Sequence, residues 1–146
     1  MFEPTSKIIF EKSKLSGSTT WLSPSNIALI KYWGKKDLQI PINPSLSFTL
    51  KQCYTKTSVS YKPSKSGFKY EFLFEGKSKP HFKKKLDKYF ERIISYLPFL
   101  DQLSLKIESK NTFPHSSGIA SSASAFSALS LCLIDIEKSI LDSTDF

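Results

Sequence analysis

Residues 111–136 read N-T-F-P-H-S-S-G-I-A-S-S-A-S-A-F-S-A-L-S-L-C-L-I-D-I, a loop-like stretch that runs into small and apolar residues. Pro114 and Gly118 predict a loop over 111–118, and the Ala and Leu content that follows predicts a helix over 119–136. Seven serines between residues 116 and 130 lower the helix propensity, a local cost that another interaction must offset. The predicted apolar stripe of this helix comprises Ile119, Ala123, Phe126, Leu129, Leu133 and Ile136.

The chain before this segment alternates between apolar and polar residues, which indicates β-strands with one buried face. N-I-A-L-I-K-Y-W (26–33) is β-branched and aromatic and stops at Gly34, so we expect a strand there. A basic amphipathic helix is expected over 79–97, and the predicted fold class is α+β. The other predicted strands are 7–13, 18–22, 46–52, 55–61, 68–74 and 103–109. A loop is expected at 41–44 and a turn at 62–67, and the strands before the basic helix are expected to form an antiparallel meander.

Length and composition favour one globular domain, with 146 residues of which 40% are apolar. No apolar run approaches the length of a membrane span, and M-F-E-P-T-S-K is a poor start for a signal peptide. Cys53 and Cys132 lack metal-ligand spacing and have apolar neighbours, which predicts two buried, reduced thiols in a cytoplasmic protein. D-S-T-D-F (142–146) offers a helix N-cap with no helix after it, so we expect an interrupted sequence.

The formal net charge of +8 would attract nucleic acid, acidic membranes or phosphorylated small molecules. Four of the cations, Lys83, Lys84, Lys85 and Lys88, fall on the polar side of the basic helix and predict a solvated face. The sequence has no zinc-finger spacing and no aromatic RNA-binding signature. Neither a nucleic-acid partner nor a membrane is therefore expected.

The loop before the last predicted helix has features of an anion site. A helix N-terminus presents unpaired N–H groups and the positive end of its dipole, and Gly118 has no Cβ to obstruct a ligand. Small neighbouring side chains such as that of Ala120 leave room for a ligand beside the backbone. Hydroxyls that can contact phosphate oxygens or magnesium come from Ser116, Ser117, Ser121, Ser122 and Ser124. Ordinary capping of a serine-rich helix start is the alternative, and no Lys follows in the manner of G-x-x-x-x-G-K-[ST].

A second constellation lies in S-P-S-N-I-A-L-I-K-Y-W-G-K-K (23–36). Its three lysines, Lys31, Lys35 and Lys36, crowd a predicted strand end beside Tyr32 and Trp33. Ammonium groups and a Tyr hydroxyl suit a diphosphate. In a regular strand Lys31 and Trp33 would share one face and Tyr32 would take the other. An exposed basic strand end with core aromatics remains the alternative.

Taken together, S-P-S-N-I-A-L-I-K-Y-W-G-K-K-D, I-N-P-S-L-S-F-T-L and N-T-F-P-H-S-S-G-I-A-S-S-A-S resemble the N-terminal half of the diphosphomevalonate decarboxylase family, in the GHMP kinase superfamily. The resemblance covers residues 20–135. It implies that residues 1–146 form a truncated GHMP-kinase-type N-terminal domain with a ribosomal protein S5 domain 2-like fold. Such a fold is a mostly antiparallel sheet with helices packed on one face, and here the C-terminal half is absent.

The resemblance also implies a reaction and roles for residues. The family uses ATP and magnesium to phosphorylate and decarboxylate mevalonate 5-diphosphate to isopentenyl diphosphate, and its full-length members are homodimers. By resemblance Asn26 organises the site, and Ser122 orients the transferring phosphate. The implied substrate-binding residues are Ala28, Lys31, Tyr32, Trp33, Gly34 and Lys35. The implied ATP-phosphate loop runs over 114–124 and includes Ser116, Ser117, Gly118, Ala120, Ser121, Ser122 and Ser124.

The chain also departs from the family pattern. His115 stands where relatives have Thr or a similar residue, and we interpret it as a loop residue rather than an acid or base. A family Arg in the hairpin region has no counterpart except Lys69 or Lys77, which are weak substitutes. The family's catalytic Asp and the Arg for the substrate carboxylate lie beyond residue 146. Asp135, Asp142 and Asp145 follow the loop too soon, so the Asp is assigned to none of them.

Two other functions remain open from the sequence. A sister kinase would phosphorylate mevalonate or its phosphate without decarboxylation. A non-catalytic remnant or a basic nucleic-acid-binding module would explain the charge but not the family order of the two constellations. From the resemblance we expect the 146 residues alone to bind phosphates poorly and to turn over no substrate.

Overall fold

A computed structural model describes residues 15–36, 40–115 and 118–141. Four strands and two α-helices are present: β1 Gly17–Ile30, β2 Leu46–Pro63, β3 Lys69–Phe74, α1 Pro80–Ile93, β4 Leu103–Asn111 and α2 Ser121–Leu141. A short 3-10 helix, Pro98–Gln102, precedes β4. The α+β class is confirmed. The strand predicted at 7–13 and the C-terminal residues 142–146 lie outside the described residues.

The sheet order is β1-β2-β4-β3, and the predicted meander is wrong. β1 pairs antiparallel with β2, and β2 pairs antiparallel with β4. β3 pairs with β4 in parallel. Parallel neighbours need a crossover, and α1 supplies it between β3 and β4. The sheet is therefore mostly antiparallel, as expected, but the position of β3 depends on a crossover through α1 that local alternation does not reveal.

Two pairs of predicted strands are in fact single long strands. The register between β1 and β2 shifts between Pro24, which faces Tyr54, and Ser25, which faces Leu50. The intervening residues of β2 form a bulge that bends the ladder without ending it. Pro24 is tolerated because β1 is an edge strand. β1 ends at Ile30, so the predicted strand over 26–33 is three residues too long.

The core lies between one face of the sheet and the two helices. Leu103, Leu105 and Ile107 of β4 are buried in one cluster with residues of both helices. Lys106, Glu108 and Lys110, which alternate with them, are exposed. Helices on one face are what the resemblance implied. In α1, Leu86 and Phe90 are buried, and the lysines expected on its polar side, Lys83, Lys84, Lys85 and Lys88, are exposed.

The buried face of α2 is offset from the predicted stripe. Leu129, Leu133 and Ile136 are buried as expected, but Ile119 precedes the helix and Ala123 is exposed. The other buried positions are Ser124, Ala128, Cys132 and Ile140. Small residues form the centre of the contact with β1 and β2, where they let the helix approach the sheet closely. A pattern search for large apolar residues misses such a face.

The two cysteines differ in their surroundings, so the prediction of two buried thiols is correct only for Cys132. Cys53 is half-buried. Cys132 is 0% exposed, and its thiol donates to the Thr57 carbonyl at 3.4 Å. Burial raises the pKa of the Cys132 thiol to about 11, so it stays protonated at neutral pH.

One end of the hairpin formed by β1 and β2 carries large apolar side chains in contact with solvent. Ile27, Leu29, Ile30, Leu46 and Phe48 are 47–60% exposed, and we call them the apolar hairpin surface. Two cross-strand pairs belong to it, Ile27 with Phe48 and Ile30 with Leu46. A contiguous apolar surface of this kind is typical of an interface. No helix in the described part of the chain is both long and apolar enough to cross a membrane.

Core packing predicts an asymmetry between two isoleucines of α2. Ile136 is 0% exposed and Ile134 is 46% exposed. Ile136→Ala is expected to lower the free energy of unfolding by about 2–5 kcal/mol, because it removes buried methyl groups and leaves a cavity. Ile134→Ala, the matched control on the same helix, is expected to cost less than about 1 kcal/mol. Urea denaturation checks both values, and equal losses would contradict the packing.

Thiol reactivity follows from the different burial of the cysteines. In the native protein, a disulfide reagent at pH 8 is expected to modify Cys53 and to leave Cys132 unmodified until the chain unfolds. A Cys53→Ser variant isolates the slow reaction. Its rate is expected to follow the rate of global unfolding as urea is added. Rapid native-state labelling of this variant would contradict the burial of Cys132.

Candidate functional site

The start of α2 has the geometry of an anion site. Gly118 has φ +81°, and a Cβ there would meet no atom within 4 Å, so backbone conformation rather than crowding requires the glycine. The Ala120 carbonyl accepts from the N–H groups of Ala123 and Ser124 at 3.0 and 3.3 Å. The N–H groups of Ser121 and Ser122 have no carbonyl one turn earlier in α2, and no acidic side chain lies in this first turn. These amides and the helix dipole favour an anion.

The serines of this loop do not all face the same way. Ser122 is exposed and Ser121 is half-buried at the open end of the helix. Ser124 is 2% exposed, and its hydroxyl lies 2.7 Å from Thr55 Oγ1 beneath the helix. Ser124 therefore packs against the sheet and does not present its hydroxyl at the surface. Ser116 and Ser117 lie outside the described residues.

An aromatic cleft adjoins the first turn of α2. It has a volume of about 50 Å³, and its lining includes Phe74, Phe82, His115, Ser121, Ser122 and Phe126. The His115 ring packs edge-on against Phe82 and Phe74, with centroid separations of 5.0 and 5.5 Å. These contacts support the interpretation of His115 as a loop residue that packs on aromatic rings.

The lysines and aromatic residues of 31–36, which we call the basic corner, follow β1 as an irregular loop. Because the strand ends at Ile30, the expected alternation of Lys31, Tyr32 and Trp33 between two sheet faces is wrong. The Lys35 ammonium lies 5.4 Å from the centroid of the Tyr32 ring, in a cation–π arrangement. The Trp33 side chain is 94% exposed. One ammonium group and one aromatic ring are thus in contact, and the Trp33 side chain is open to solvent.

Gly34 lies close to Ile42 within this loop. The Ile42 N–H donates to the Gly34 carbonyl at 3.0 Å, which draws the two segments together. A Cβ on Gly34 would lie 2.9 Å from Ile42 Cδ1. Next to this contact, Lys35 forms an isolated bridge with Pro41. Residues 34–36 and 40–42 are therefore held side by side.

Asn43 organises the basic corner, and the sequence reading assigned it no role. Its Oδ1 accepts from the Trp33 N–H at 2.8 Å. Its Nδ2 donates to the carbonyls of Pro44 at 2.9 Å and Lys31 at 3.4 Å. The available signal was an Asn between two prolines in P-I-N-P, since Asn side chains often hold turns by bonding to the backbone.

The remaining predicted residues lie along β1. Asn26 is half-buried, and its Nδ2 donates to Ser47 Oγ at 3.4 Å. Ala28 is half-buried opposite Ser47 in the ladder. Lys69 begins β3, and Lys77 pairs with Phe74 in the turn after that strand. Asp135 accepts a hydrogen bond from Thr19 and lies about four helical turns after Ser121, the first residue of α2, and Asp142 and Asp145 lie outside the described residues.

A hydrogen bond joins the two stretches that were predicted to bind phosphates, residues 23–36 and the loop over 114–124. Ser25 is 1% exposed, and its hydroxyl donates to the Ile119 carbonyl at 3.0 Å. Ser25 precedes Asn26 in the strand that leads to the basic corner, and Ile119 follows Gly118 in the loop that opens α2. Within 15–36, 40–115 and 118–141, no three His, Cys, Asp or Glu side chains are grouped to hold a metal ion.

Comparison with known proteins gives consistent results. Residues 23–146 match the family model of the diphosphomevalonate decarboxylase-like N-terminal domain. A diphosphomevalonate decarboxylase of Ganoderma lucidum is 36% identical over 130 residues, which are 80% of this chain and 32% of that protein. The chain thus spans about a third of the length of this curated relative.

Solved structures agree with the sequence comparison. Mevalonate diphosphate decarboxylase from Staphylococcus aureus has a TM-score of 0.70 and 34% identity, over 91% of this chain and 39% of that one. The enzyme from Enterococcus faecalis, studied for mevalonate diphosphate-mediated ATP binding, has a TM-score of 0.64 and 32% identity, over 86% and 41%. Another similar structure, with a TM-score of 0.63 and 31% identity over 86% and 41%, holds MVAPP, AMPPCP and magnesium.

The hydrogen bonds of Asn43 predict how the basic corner responds to substitution. Asn43→Ala removes the acceptor of the Trp33 N–H and is expected to speed hydrogen exchange of that amide by about tenfold or more, the equivalent of about 1.4 kcal/mol. Asn43→Asp, the matched variant, keeps an acceptor oxygen and is expected to retain most of the protection. Exchange measured by NMR tests this, and equal exchange in all three proteins would contradict the assigned contact.

Proposed function

Because the chain belongs to the diphosphomevalonate decarboxylase-like N-terminal domain family, we propose that it carries the diphosphate-binding and ATP-phosphate-binding part of an ATP-dependent mevalonate 5-diphosphate decarboxylase. The observation that carries the proposal is the hydrogen bond from Ser25 to the Ile119 carbonyl. It joins the strand that leads to a cationic corner to the loop that opens α2. Phosphoryl transfer depends mainly on such alignment and on charge neutralisation.

The substrate diphosphate binds at the basic corner in this proposal. The Lys35 ammonium supplies positive charge, and the Tyr32 hydroxyl is a directional donor. Gly34 contributes its backbone to the same surface, and Asn43 holds the loop that carries these residues. Lys31, Trp33 and Ala28 complete the binding surface, and Asn26 organises it.

The ATP phosphates bind at the start of α2. The N–H groups of Ser121 and Ser122 and the hydroxyl of Ser122 are the donors, with Ser116 and Ser117 in the same loop. Gly118 gives the loop its left-handed turn and Ala120 leaves the approach clear. The cleft beside His115 adjoins this turn, and its aromatic rings offer a surface for the base.

Magnesium fits this site as a companion of the phosphates. The donors at the loop are amides and hydroxyls, and the first turn of α2 holds no carboxylate. Magnesium is usually held by phosphate oxygens, waters and one or two protein carboxylates, so the hydroxyls of this loop supply only part of its ligand set. When bound, the ion neutralises phosphate charge, and the residues of this chain align the phosphates around it.

The complete reaction needs residues that this chain does not supply. The family Asp and the Arg for the carboxylate are assigned to no residue here, and the chain spans 32% of its Ganoderma lucidum relative. The remaining part of the enzyme also covers the apolar hairpin surface in this proposal. The 146 residues by themselves bind both ligands weakly and release no carbon dioxide.

Ligand titrations followed by NMR test the two binding surfaces separately, because NMR detects weak complexes. Lys35→Met is expected to weaken mevalonate 5-diphosphate binding by about tenfold or more, since it removes a charged donor. Ser122→Ala is expected to weaken Mg-ATP binding by about threefold to tenfold, the cost of one neutral hydrogen bond. Amide shifts are expected at 118–124 with Mg-ATP and at 26–36 with the diphosphate.

Matched variants control for charge and helix composition. Lys65→Met removes an exposed cation in the turn after β2, and Ser127→Ala removes an exposed hydroxyl farther along α2. Both are expected to leave the two affinities unchanged. Shifts centred on Lys83–Lys88 instead of these surfaces would reject the proposed sites. ATP-dependent carbon dioxide release by the 146 residues would reject the proposed need for further chain.

A further inference from the structure

Buried hydroxyls beneath the first turn of α2 form a chain of hydrogen bonds across three elements. Thr55 in β2 and Ser124 in α2 are 0% and 2% exposed. Thr55 Oγ1 lies 2.7 Å from Ser124 Oγ and 2.9 Å from Asn111 Oδ1, at the end of β4. The contacts therefore link β2, β4 and α2 at a single point under the loop.

The number of available protons sets the direction of these bonds. Asn111 Oδ1 can only accept, so the Thr55 hydroxyl donates to it. The Ser124 hydroxyl then shares its single proton between Thr55 Oγ1 and the Ser121 carbonyl, 3.1 Å from Ser124 Oγ, in a three-centre bond. The hydroxyl of Ser124 thus lies between the floor of the sheet and the first residue of α2.

A second tether acts on the other side of the same turn. Ser25 Oγ donates to the Ile119 carbonyl at 3.0 Å from a position that is 1% exposed. The amides of Ser121 and Ser122 lie between the two tethers, at Ile119 and Ser124. Breaking either hydrogen bond would leave a buried hydroxyl without a partner, which is costly. Each bond therefore fixes the distance between the sheet and the backbone that it holds.

We propose that Ser25, Thr55 and Asn111 are positioning residues that, through Ile119 and Ser124, hold the Ser121 and Ser122 amides in the arrangement that binds a triphosphate. The inference rests on the proposed function of this loop as the ATP-phosphate site. Fixed donors bind an anion without first having to be ordered. The hydrogen bond between Thr55 Oγ1 and Ser124 Oγ, 2.7 Å long, thereby affects the phosphate affinity of amides that Thr55 does not contact itself.

A neighbouring pair of hydroxyls in the same sheet joins two strands without contacting the helix, and it serves as a comparison. Thr57 Oγ1 lies 3.0 Å from Ser109 Oγ, and both side chains are buried. This pair joins β2 to β4 and makes no contact with α2 through its hydroxyls. The Thr55 contact differs because it continues into the helix at the turn that carries the proposed donors.

The test compares variants of the full 146-residue chain with magnesium and inorganic triphosphate as the probe. Thr55→Val keeps the shape of the side chain but removes its hydroxyl. We expect its Kd for triphosphate to rise about tenfold, because small displacements of binding groups have large effects. Thr55→Ser is expected to restore the affinity. Ser124→Ala, in which Ala favours the helix, is expected to reproduce the loss and covers the case that Thr55→Val fails to fold.

A control variant separates positioning from general stability. Tyr89→Phe removes the hydroxyl that lies 2.7 Å from Ser130 Oγ. Ser130 is in α2, six residues beyond Ser124. The substitution is expected to lower Tm by a similar amount and to leave the triphosphate affinity unchanged. Equal affinity in Thr55→Val, Ser124→Ala and wild type, or an equal loss in Tyr89→Phe, overturns the proposal.

Amide hydrogen exchange without ligand gives a second readout that does not depend on the proposed function. Faster exchange confined to residues 118–124 in Thr55→Val and Ser124→Ala supports the positioning role. Exchange that is unchanged there, or that rises uniformly along α2, overturns it. If the wild-type chain shows no amide shifts at 118–124 with triphosphate, the proposed function fails, while the exchange comparison still decides whether these residues position the turn.

Discussion

Close packing of α2 on the first two strands is the constraint on which the rest of the structure depends. Cys132 donates to the Thr57 carbonyl, Ser124 contacts Thr55, and Asp135 accepts from Thr19. Small side chains at these positions let the helix lie close to the sheet, and the polar atoms that this closeness buries are paired. No buried side-chain nitrogen or oxygen in the described part of the chain lacks a partner. Helix position is thereby fixed by directional bonds as well as by apolar area, and the donors at its N-terminus are fixed with it.

Local sequence signals located the helices and the strand-forming segments, but they gave neither the lengths of the strands nor their arrangement. Gly118, the prolines and the Ala- and Leu-rich segment predicted the loop and α2, because turn conformation and helix propensity depend on neighbouring residues. The parallel pairing of β3 with β4 was missed, since it depends on a crossover of non-local contacts. The family resemblance located the candidate residues. It did not show that the hydroxyl of Ser124 is buried, because a serine in a helix has the same sequence signature on either face.

The candidate site carries positive charge in two places. The N-terminal end of the α2 dipole and the ammoniums of Lys31 and Lys35 have the same sign, and the first turn of α2 holds no acid. The side chains of the basic corner are in contact with solvent, which screens their charge. An anion that binds the folded chain at either place would stabilise it by mass action. The net charge of +8 has the sign that attracts anions.

The same exposure limits what these residues achieve by themselves. Interactions between charges strengthen greatly when water is excluded, because the effective dielectric constant falls. Trp33 is 94% exposed and the apolar hairpin surface beside the basic corner is about half exposed, so the described residues leave this site wet. A further layer of protein on that surface would bury apolar area and would raise the strength of every phosphate contact nearby. Packing of any such layer on the hairpin would then be coupled energetically to anion binding at the basic corner, since each would supply part of the environment that the other needs.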